Sequence, residues 1–272
     1  MKRFLVWIAL IGGSVFFVIP FLWTVATALK TQEEIAKDPT RLVPMQPTWE
    51  NFPAAWNALP FLNFVENTVF VTLVSMTMQV ITGSLVAYGF ARFQFKGRDL
   101  LFMTMISTML LPGQVTMIPV YLIWRQLGAI DTFAPLTVPA FFGGGAFSIF
   151  LLRQFFMTIP RELDEAMLID GASYWGILWR LIVPLSGPAI TTVVVFSFIG
   201  NWDSFDGPLI YLNSPENYTM SIGLRLFQDT FGTNMGQLMA ASLMHIVPTI
   251  ILFFAAQKYF IKGVHLSGLG GR

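Results

Sequence analysis

The chain of 272 residues has no cysteine and two histidines, and only 11% of its residues are charged. Without cysteine there can be no disulfide framework, thiolate metal site or cysteine nucleophile. His245 and His265 are too few for a histidine-rich metal site. Soluble domains average about 25% charged residues, so this scarcity excludes an ordinary soluble globular protein. An excess of one sign is also missing: 16 Lys and Arg face 15 Asp and Glu, and the net charge of +1 offers no field that would attract nucleic acid. There is no Gly-x-x-x-x-Gly-Lys-Ser/Thr phosphate loop, so the chain itself is not expected to hydrolyse ATP. The run Gly143-Gly144-Gly145 continues Ala-Phe-Ser, and is read as a close helix contact or a place where a helix bends.

Apolar mass is what the chain has: 55% of residues are hydrophobic, and mean hydropathy is +0.65. A helix needs about 20 mostly apolar residues to cross a bilayer, because its backbone groups must be satisfied within the segment. Six stretches qualify, near 4–29, 69–91, 100–124, 134–155, 185–209 and 239–260. The expected fold is an all-α membrane protein with six transmembrane helices. Lys2, Arg3 and the Ala26-Thr27-Ala28 run suggest a secretory signal, but the first apolar run is longer than the about 7–15 residues of a signal core, so an uncleaved span is expected. With six spans, 11 of the 16 Lys and Arg fall on the side of both termini, and the positive-inside rule places that side in the cytoplasm.

The connection 158–184 between spans four and five is the most informative segment. Thr158 is suited to cap a helix, Pro160 to its first turn, and Glu162, Asp164 and Glu165 to the positive end of its dipole. Gly171 is placed to end that helix in the left-handed region, Ser173 to cap a second one, and Pro184 to break it before the next span. Leu163, Ala166, Met167 and Ile169 give the first helix an amphipathic pattern. Such a helix either seats in a groove of a soluble partner or lies on lipid headgroups, and spacing does not choose.

The run from Glu165-Ala166-Met167 through Asp170-Gly171, with Pro184 thirteen residues after the glycine, resembles the EAA motif of ABC importer permeases. It differs in Met167, where Ala is usual, and in Val183, where Leu usually precedes the proline. Further similarity to the MalG-like permeases of carbohydrate importers lies in Pro47-Thr48-Trp49-Glu50-Asn51-Phe52, in Ala87-Tyr88-Gly89-Phe90-Ala91-Arg92-Phe93-Gln94-Phe95-Lys96-Gly97-Arg98, in Asn201-Trp202-Asp203 with Pro208-Leu209-Ile210, and in Lys258-Tyr259-Phe260-Ile261-Lys262-Gly263. The resemblance implies a type I importer permease in a bacterial or archaeal inner membrane. It divides the chain into a first span and outer loop (1–66), a transmembrane core (67–262) and a flexible cytoplasmic tail (263–272). It implies three partners: a second, MalF-like permease, a dimeric cytoplasmic ATPase, and an extracytoplasmic solute-binding protein that delivers sugar. Glu165, Ala166, Met167, Asp170, Gly171 and Pro184 would then form the ATPase-coupling segment. No cofactor is expected on this chain, and ATP and Mg belong on the ATPase.

Polar residues within apolar spans are costly and therefore informative. Asn201, Trp202 and Asp203 near the end of span five are candidates to line a sugar path, since Asn and Asp bond hydroxyls and Trp packs on a pyranose face. Asn201 and Asp203 are also suited to bonding neighbouring helices or to capping a break at Gly207-Pro208. Asp206 joins them with a less defined role. Asn67, Gln79, Gln114 and His245 are read first as interhelical hydrogen-bond formers, and Met103, Met105, Met109 and Met117 as adaptable packing. Outside the membrane, 211–238 would cap the permease or, by the resemblance, reach into the binding protein. The competing class, an ion-coupled secondary transporter, would show internal repeats and membrane-embedded acids. No repeat is evident, and Asp203 and Asp206 are nearly the only acids within the spans. An intramembrane enzyme lacks a nucleophile paired with a base.

Overall fold

The computed structural model describes residues 2–229 and 234–267. Its α-helices, in chain order, begin with α1 (Lys2–Ala28), α2 (Gln32–Lys37), α3 (Asn51–Ala58), α4 (Phe61–Arg92) and α5 (Arg98–Ser107). There follow α6 (Gly113–Gln126), α7 (Ala134–Thr137), α8 (Ala146–Thr158), α9 (Arg161–Ile169) and α10 (Tyr174–Ile177). The last five are α11 (Val183–Leu185), α12 (Gly187–Trp202), α13 (Asp206–Tyr211), α14 (Met220–Asp229) and α15 (Met235–Ser267). Among the described residues there is no strand. Among the described residues, four helical stretches are long and apolar enough to cross a membrane, or six if two sharply bent pairs each count as one span.

The bent pairs correct the expected boundaries. The stretch 100–124 is not one helix: α5 runs through a 3₁₀ turn to Leu110, and α6 leaves at 103° to it. Pro112 is the cause, because a residue before proline is pushed out of the helical region, and Leu111 is extended at φ −83°, ψ 120°. Likewise 185–209 is not continuous. The helix that ends at Leu185 meets α12 at 83°, α12 stops at Trp202, and a separate α13 begins at Asp206. Pro184 does not break its helix. The preceding turn, Leu178–Ile182, widens to π register, and Pro184 falls in the first turn of α11, where no amide is needed. The break comes two residues later, at Ser186 ahead of Gly187-Pro188. Thr158 does not cap α9 either. It is the last residue of α8 and donates to the Phe155 carbonyl at 2.7 Å.

Two compact units partition the chain, Met1–Val65 with Tyr218–Pro248, and Glu66–Asn217 with the chain from Thr249. In the first, Ala28, Ala55, Phe61, Phe64, Met220 and Phe227 are among the core residues. The Asn51 amide ties the end of α1 to α3 by donating to the carbonyls of Ala28 (2.9 Å) and Lys30 (2.8 Å). Lys30 is fully buried and places its ammonium 3.1 Å from the Asp38 carbonyl. Most of α1 presents its apolar side chains outward, as a lipid-facing helix must; Phe16 is 72% exposed and Phe17 79%.

The second unit packs α4, α8, α12 and the 177–182 turn around Ala87, Leu152, Phe156, Ile177, Ile182 and Val193. The glycine run is both a bend and a close contact. Gly143, Gly144 and Gly145 all have positive φ, they separate the 3₁₀ turn Val138–Phe142 from α8, and a Cβ on Gly144 would lie 2.2 Å from Gln79 Cγ. The helix α15 continues to Ser267, and the remainder of the tail expected from Gly263 lies outside the described residues, as do Phe231 and Gly232 of the outer segment.

Candidate functional site

The 158–184 connection folds as two helices around a glycine turn. Helix α9 starts after Pro160, and Glu162 and Asp164 stand in its first turn. Its end is a Schellman turn: Ala172 N–H donates to the Met167 carbonyl at 2.9 Å and Gly171 N–H to that of Leu168 at 3.0 Å. Gly171 supplies the required left-handed residue at φ +81°. Ser173 then caps α10, its Oγ accepting from Gly176 N–H at 3.2 Å. Met167 and Ala172, the pair that accompanies such a turn, pack on the core of the second unit. The apolar positions of α9 therefore do not share one face. Met167 turns inward, while Glu162, Glu165, Ala166 and Asp170 are exposed beside Leu163 and Leu168, and Ile169 is 86% exposed.

One ion pair fixes α9 against α4. Arg92 Nε lies 2.8 Å from Asp164 Oδ2, and the two side chains are only 5% and 14% exposed. Arg92 Nη2 also donates to the Ile159 carbonyl at 3.0 Å. Burial pushes the Asp164 carboxyl above its ordinary value, with the neighbouring Arg92 charge pulling the other way. The pairing has no local trace in the sequence, since its partners lie 72 residues apart.

The polar residues of span five separate into two groups. Asn201 donates to the Ser197 carbonyl at 2.7 Å. Ser197 Oγ donates to Gln79 Oε1 at 2.7 Å, and Gln79 Nε2 to Ser148 Oγ at 2.7 Å. This chain links α12, α4 and α8, the interhelical bonding expected of Gln79. Trp202 is buried and stacked on Phe198 with ring centroids 5.3 Å apart. Asp203, at the end of α12, and Asp206, at the start of α13, are exposed. Asp206 lines a groove of about 310 Å³ between α6 and α13, together with Gln114, Thr116, Met117, Ile210 and Tyr211. Tyr121 stacks on Tyr211 beside it at 6.2 Å. The groove brings Gln114 and Asp206 together, which their separation in sequence did not announce.

Asp131 escaped sequence reading altogether. It is the one non-glycine residue at positive φ among those described, at +62°, a conformation that Asp tolerates better than most. Its carboxylate accepts from Asn213 N–H and Ser214 N–H at 2.9 Å each, and from the Ser214 hydroxyl and the Asn217 amide. These bonds hold the carboxyl far below the usual range, the Ser214 hydroxyl contributing most. The loop after α13 is thereby stapled to the connection between α6 and α7. An Asp three residues after Gly128 is the only local hint of such a turn.

Apolar helices in four to six spans, a groove with polar edges, and an exposed acidic helix outside the apolar stretches together make a membrane transport subunit. Over residues 79–266 the chain matches the family described as binding-protein-dependent transport system inner membrane component. It is 31% identical over 268 residues to the probable ABC transporter permease protein YurM of Bacillus subtilis (strain 168), covering 98% of this chain and 88% of that one. It is 29% identical over 257 residues to the arabinooligosaccharides transport system permease protein AraQ of Halalkalibacterium halodurans, across 93% of this chain and 91% of the relative. In fold it resembles a solved bacterial ABC transporter involved in the import of the acidic polysaccharide alginate, with a TM-score of 0.83 at 24% identity, covering 95% of this chain and 97% of that chain. The chain belongs to the binding-protein-dependent transport system inner membrane component family, as an ABC transporter permease.

Proposed function

We propose that this subunit forms half of the translocation path of an ATP-driven carbohydrate importer, with six spans and both termini in the cytoplasm. A second, MalF-like permease completes the path, a dimeric ATPase carries ATP and Mg, and an extracytoplasmic binding protein delivers the sugar. The exposed face of α9 is the observation that supports this reading most. Glu165, Ala166, Ile169 and Asp170 stand clear of the chain's own core, while Met167 and the Asp164–Arg92 pair hold the helix from behind. A rigidly backed helix with an acidic and apolar outer face suits a groove on a soluble partner. ATP-driven closure of the ATPase dimer would move α9 as a lever, and the bends at Pro112 and Ser186 let the helices behind it follow. Docking of the loaded binding protein outside biases the same two-state equilibrium.

Gly171→Val is the test of the lever. No atom lies within 4 Å of a Cβ at Gly171, so the substitution acts only through φ. A β-branched residue in the left-handed region costs about 1–2 kcal/mol and undoes the turn. The subunit is expected to insert normally, and to lose ATPase co-purification and sugar uptake together. Unchanged uptake contradicts the coupling role.

For the path, Asn201 and Trp202 act as the packed wall, and the exposed carboxylates Asp203 and Asp206 with Gln114 and Tyr211 meet the sugar. Carboxylates here favour neutral saccharides, since an acidic sugar would meet like charge. Loss of one charge-assisted hydrogen bond, about 1.5–3 kcal/mol, corresponds to about tenfold or more in affinity. Asp206→Asn is therefore expected to raise the KM of uptake about tenfold with assembly intact. Unaltered uptake kinetics would leave Asp206 only as a first-turn acid at the positive end of α13.

A further inference from the structure

Four guanidiniums converge where the apolar stretches of the second unit end. Arg92 closes α4, Arg98 opens α5, Arg153 sits in the second half of α8, and Arg161 opens α9. With Gln94 and a few apolar neighbours they line a cavity of about 220 Å³ to which no acid contributes. Two of the four have carboxylate partners: Asp164 pairs with Arg92, and Asp99, whose side chain is 75% exposed, pairs with Arg98 at 2.9 Å. Neither Arg153 nor Arg161 forms an ion pair among the described residues. Arg153 is instead held in place by the Phe90 carbonyl at 3.3 Å and by the Phe102 ring, 4.0 Å below its guanidinium carbon. Both contacts orient the fork without neutralising it. Asp99 and Asp164 act on Arg153 and Arg161 only from beyond ion-pair distance, so the four arginines outnumber the two acids and the lining has an excess of positive charge that favours an anion.

We propose that this cavity binds the phosphate of an anionic phospholipid headgroup. Guanidinium forks match phosphate oxygens in shape and charge, and basic pockets between membrane helices at the cytoplasmic surface are suited to such headgroups. The volume is below the about 300–1,000 Å³ of pockets for drug-sized ligands, and is of a size for a phosphate with its glycerol. Exposed apolar side chains next to the arginines favour a lipid over free phosphate: Leu100 (72%) and Leu101 (56%) follow Arg98, and Met157 (49%) lines the cavity itself. They offer acyl chains a surface that an inorganic ion does not need. Because Arg92 and Arg161 also flank Asp164, a bound headgroup would stabilise the seat of α9.

The test measures phospholipid retained by the intact transporter complex, purified from mixed vesicles of phosphatidylglycerol and phosphatidylcholine. Phosphatidylglycerol is expected to be retained in preference to phosphatidylcholine, and not to be displaced by added inorganic phosphate. At about 1 kcal/mol for each basic residue near a lipid surface, Arg98→Gln with Arg153→Gln is expected to weaken retention about tenfold or more. Arg98→Lys with Arg153→Lys, which keeps the charges, is expected to retain most of it. Equal retention of both lipids, retention unaffected by the glutamine pair, displacement by inorganic phosphate, or exclusion of phosphatidylglycerol by the bound ATPase would each overturn the proposal. Should the glutamine pair fail to assemble, lipid preference and phosphate competition in the unaltered complex decide it.

Discussion

Gly144→Ala is expected to remove the folded subunit from the membrane. A Cβ at this position would lie 2.2 Å from Gln79 Cγ, 2.6 Å from its Cβ and 2.9 Å from its Cα. The last of these is backbone of α4, so no side-chain rotation relieves the clash. The φ of +63° adds a left-handed penalty of about 1–2 kcal/mol, and overpacking costs about 1–3 kcal/mol more. Displacing Gln79 also breaks its bonds to Ser148 and Ser197. Together these approach the about 5–15 kcal/mol by which a domain is stable at all. Gly12→Ala, where nothing lies within 4 Å, is the matched control and is expected to be neutral. Yield of detergent-stable protein and its Tm check both, and an unchanged Tm for Gly144→Ala would mean that α4 and the glycine run do not pack as described.

Asp164→Ala has the next largest expected effect, a loss of about 3–5 kcal/mol, because it strands the buried Arg92 guanidinium. The intact pair is nonetheless not a source of stability at neutral pH. A carboxyl raised above its ordinary value contributes its full stability below the ordinary carboxylate range, near pH 4, and loses it as pH rises through the raised value. Replacing both partners by apolar residues, Arg92→Met with Asp164→Leu, is expected to restore most of the Tm lost in Asp164→Ala. Its stability relative to the natural chain should fall as pH is lowered from 7 toward 4, because the natural Asp164 gains stability there. Uptake should stay low in the double variant, since the pair's contribution is to hold α9 in place. A double variant as unstable as Asp164→Ala would contradict this division of roles.

Short-range chemistry was legible in the sequence. Gly171 and Ser173 form the turn and cap expected of them, because both motifs close within six residues. Apolar stretches were legible as membrane candidates, but hydropathy averages over a window and is blind to the breaks at Pro112 and Ser186, which depend on backbone geometry at single residues. Pro184 misled because a preceding π turn removed the penalty that proline normally carries. Asp164–Arg92, Asp131 with the 213–217 loop, and the groove between Gln114 and Asp206 depend on contacts across many tens of residues, for which one sequence has no signal. Asn201 and Trp202 show the same limit: their residue types suit sugar, yet one bonds within α12 and the other is buried.

The absence of cysteine allows the central claim to be tested without labelling this chain at any other site. Ala166 lies on the exposed face of α9, so a benzophenone maleimide attached at Ala166→Cys reports what that face touches in inverted membrane vesicles. A photo-adduct between this subunit and the ATPase is expected, with a yield that changes when ATP is added. An adduct with lipid alone, or labelling of the same cysteine from the extracytoplasmic side of intact cells, would contradict it.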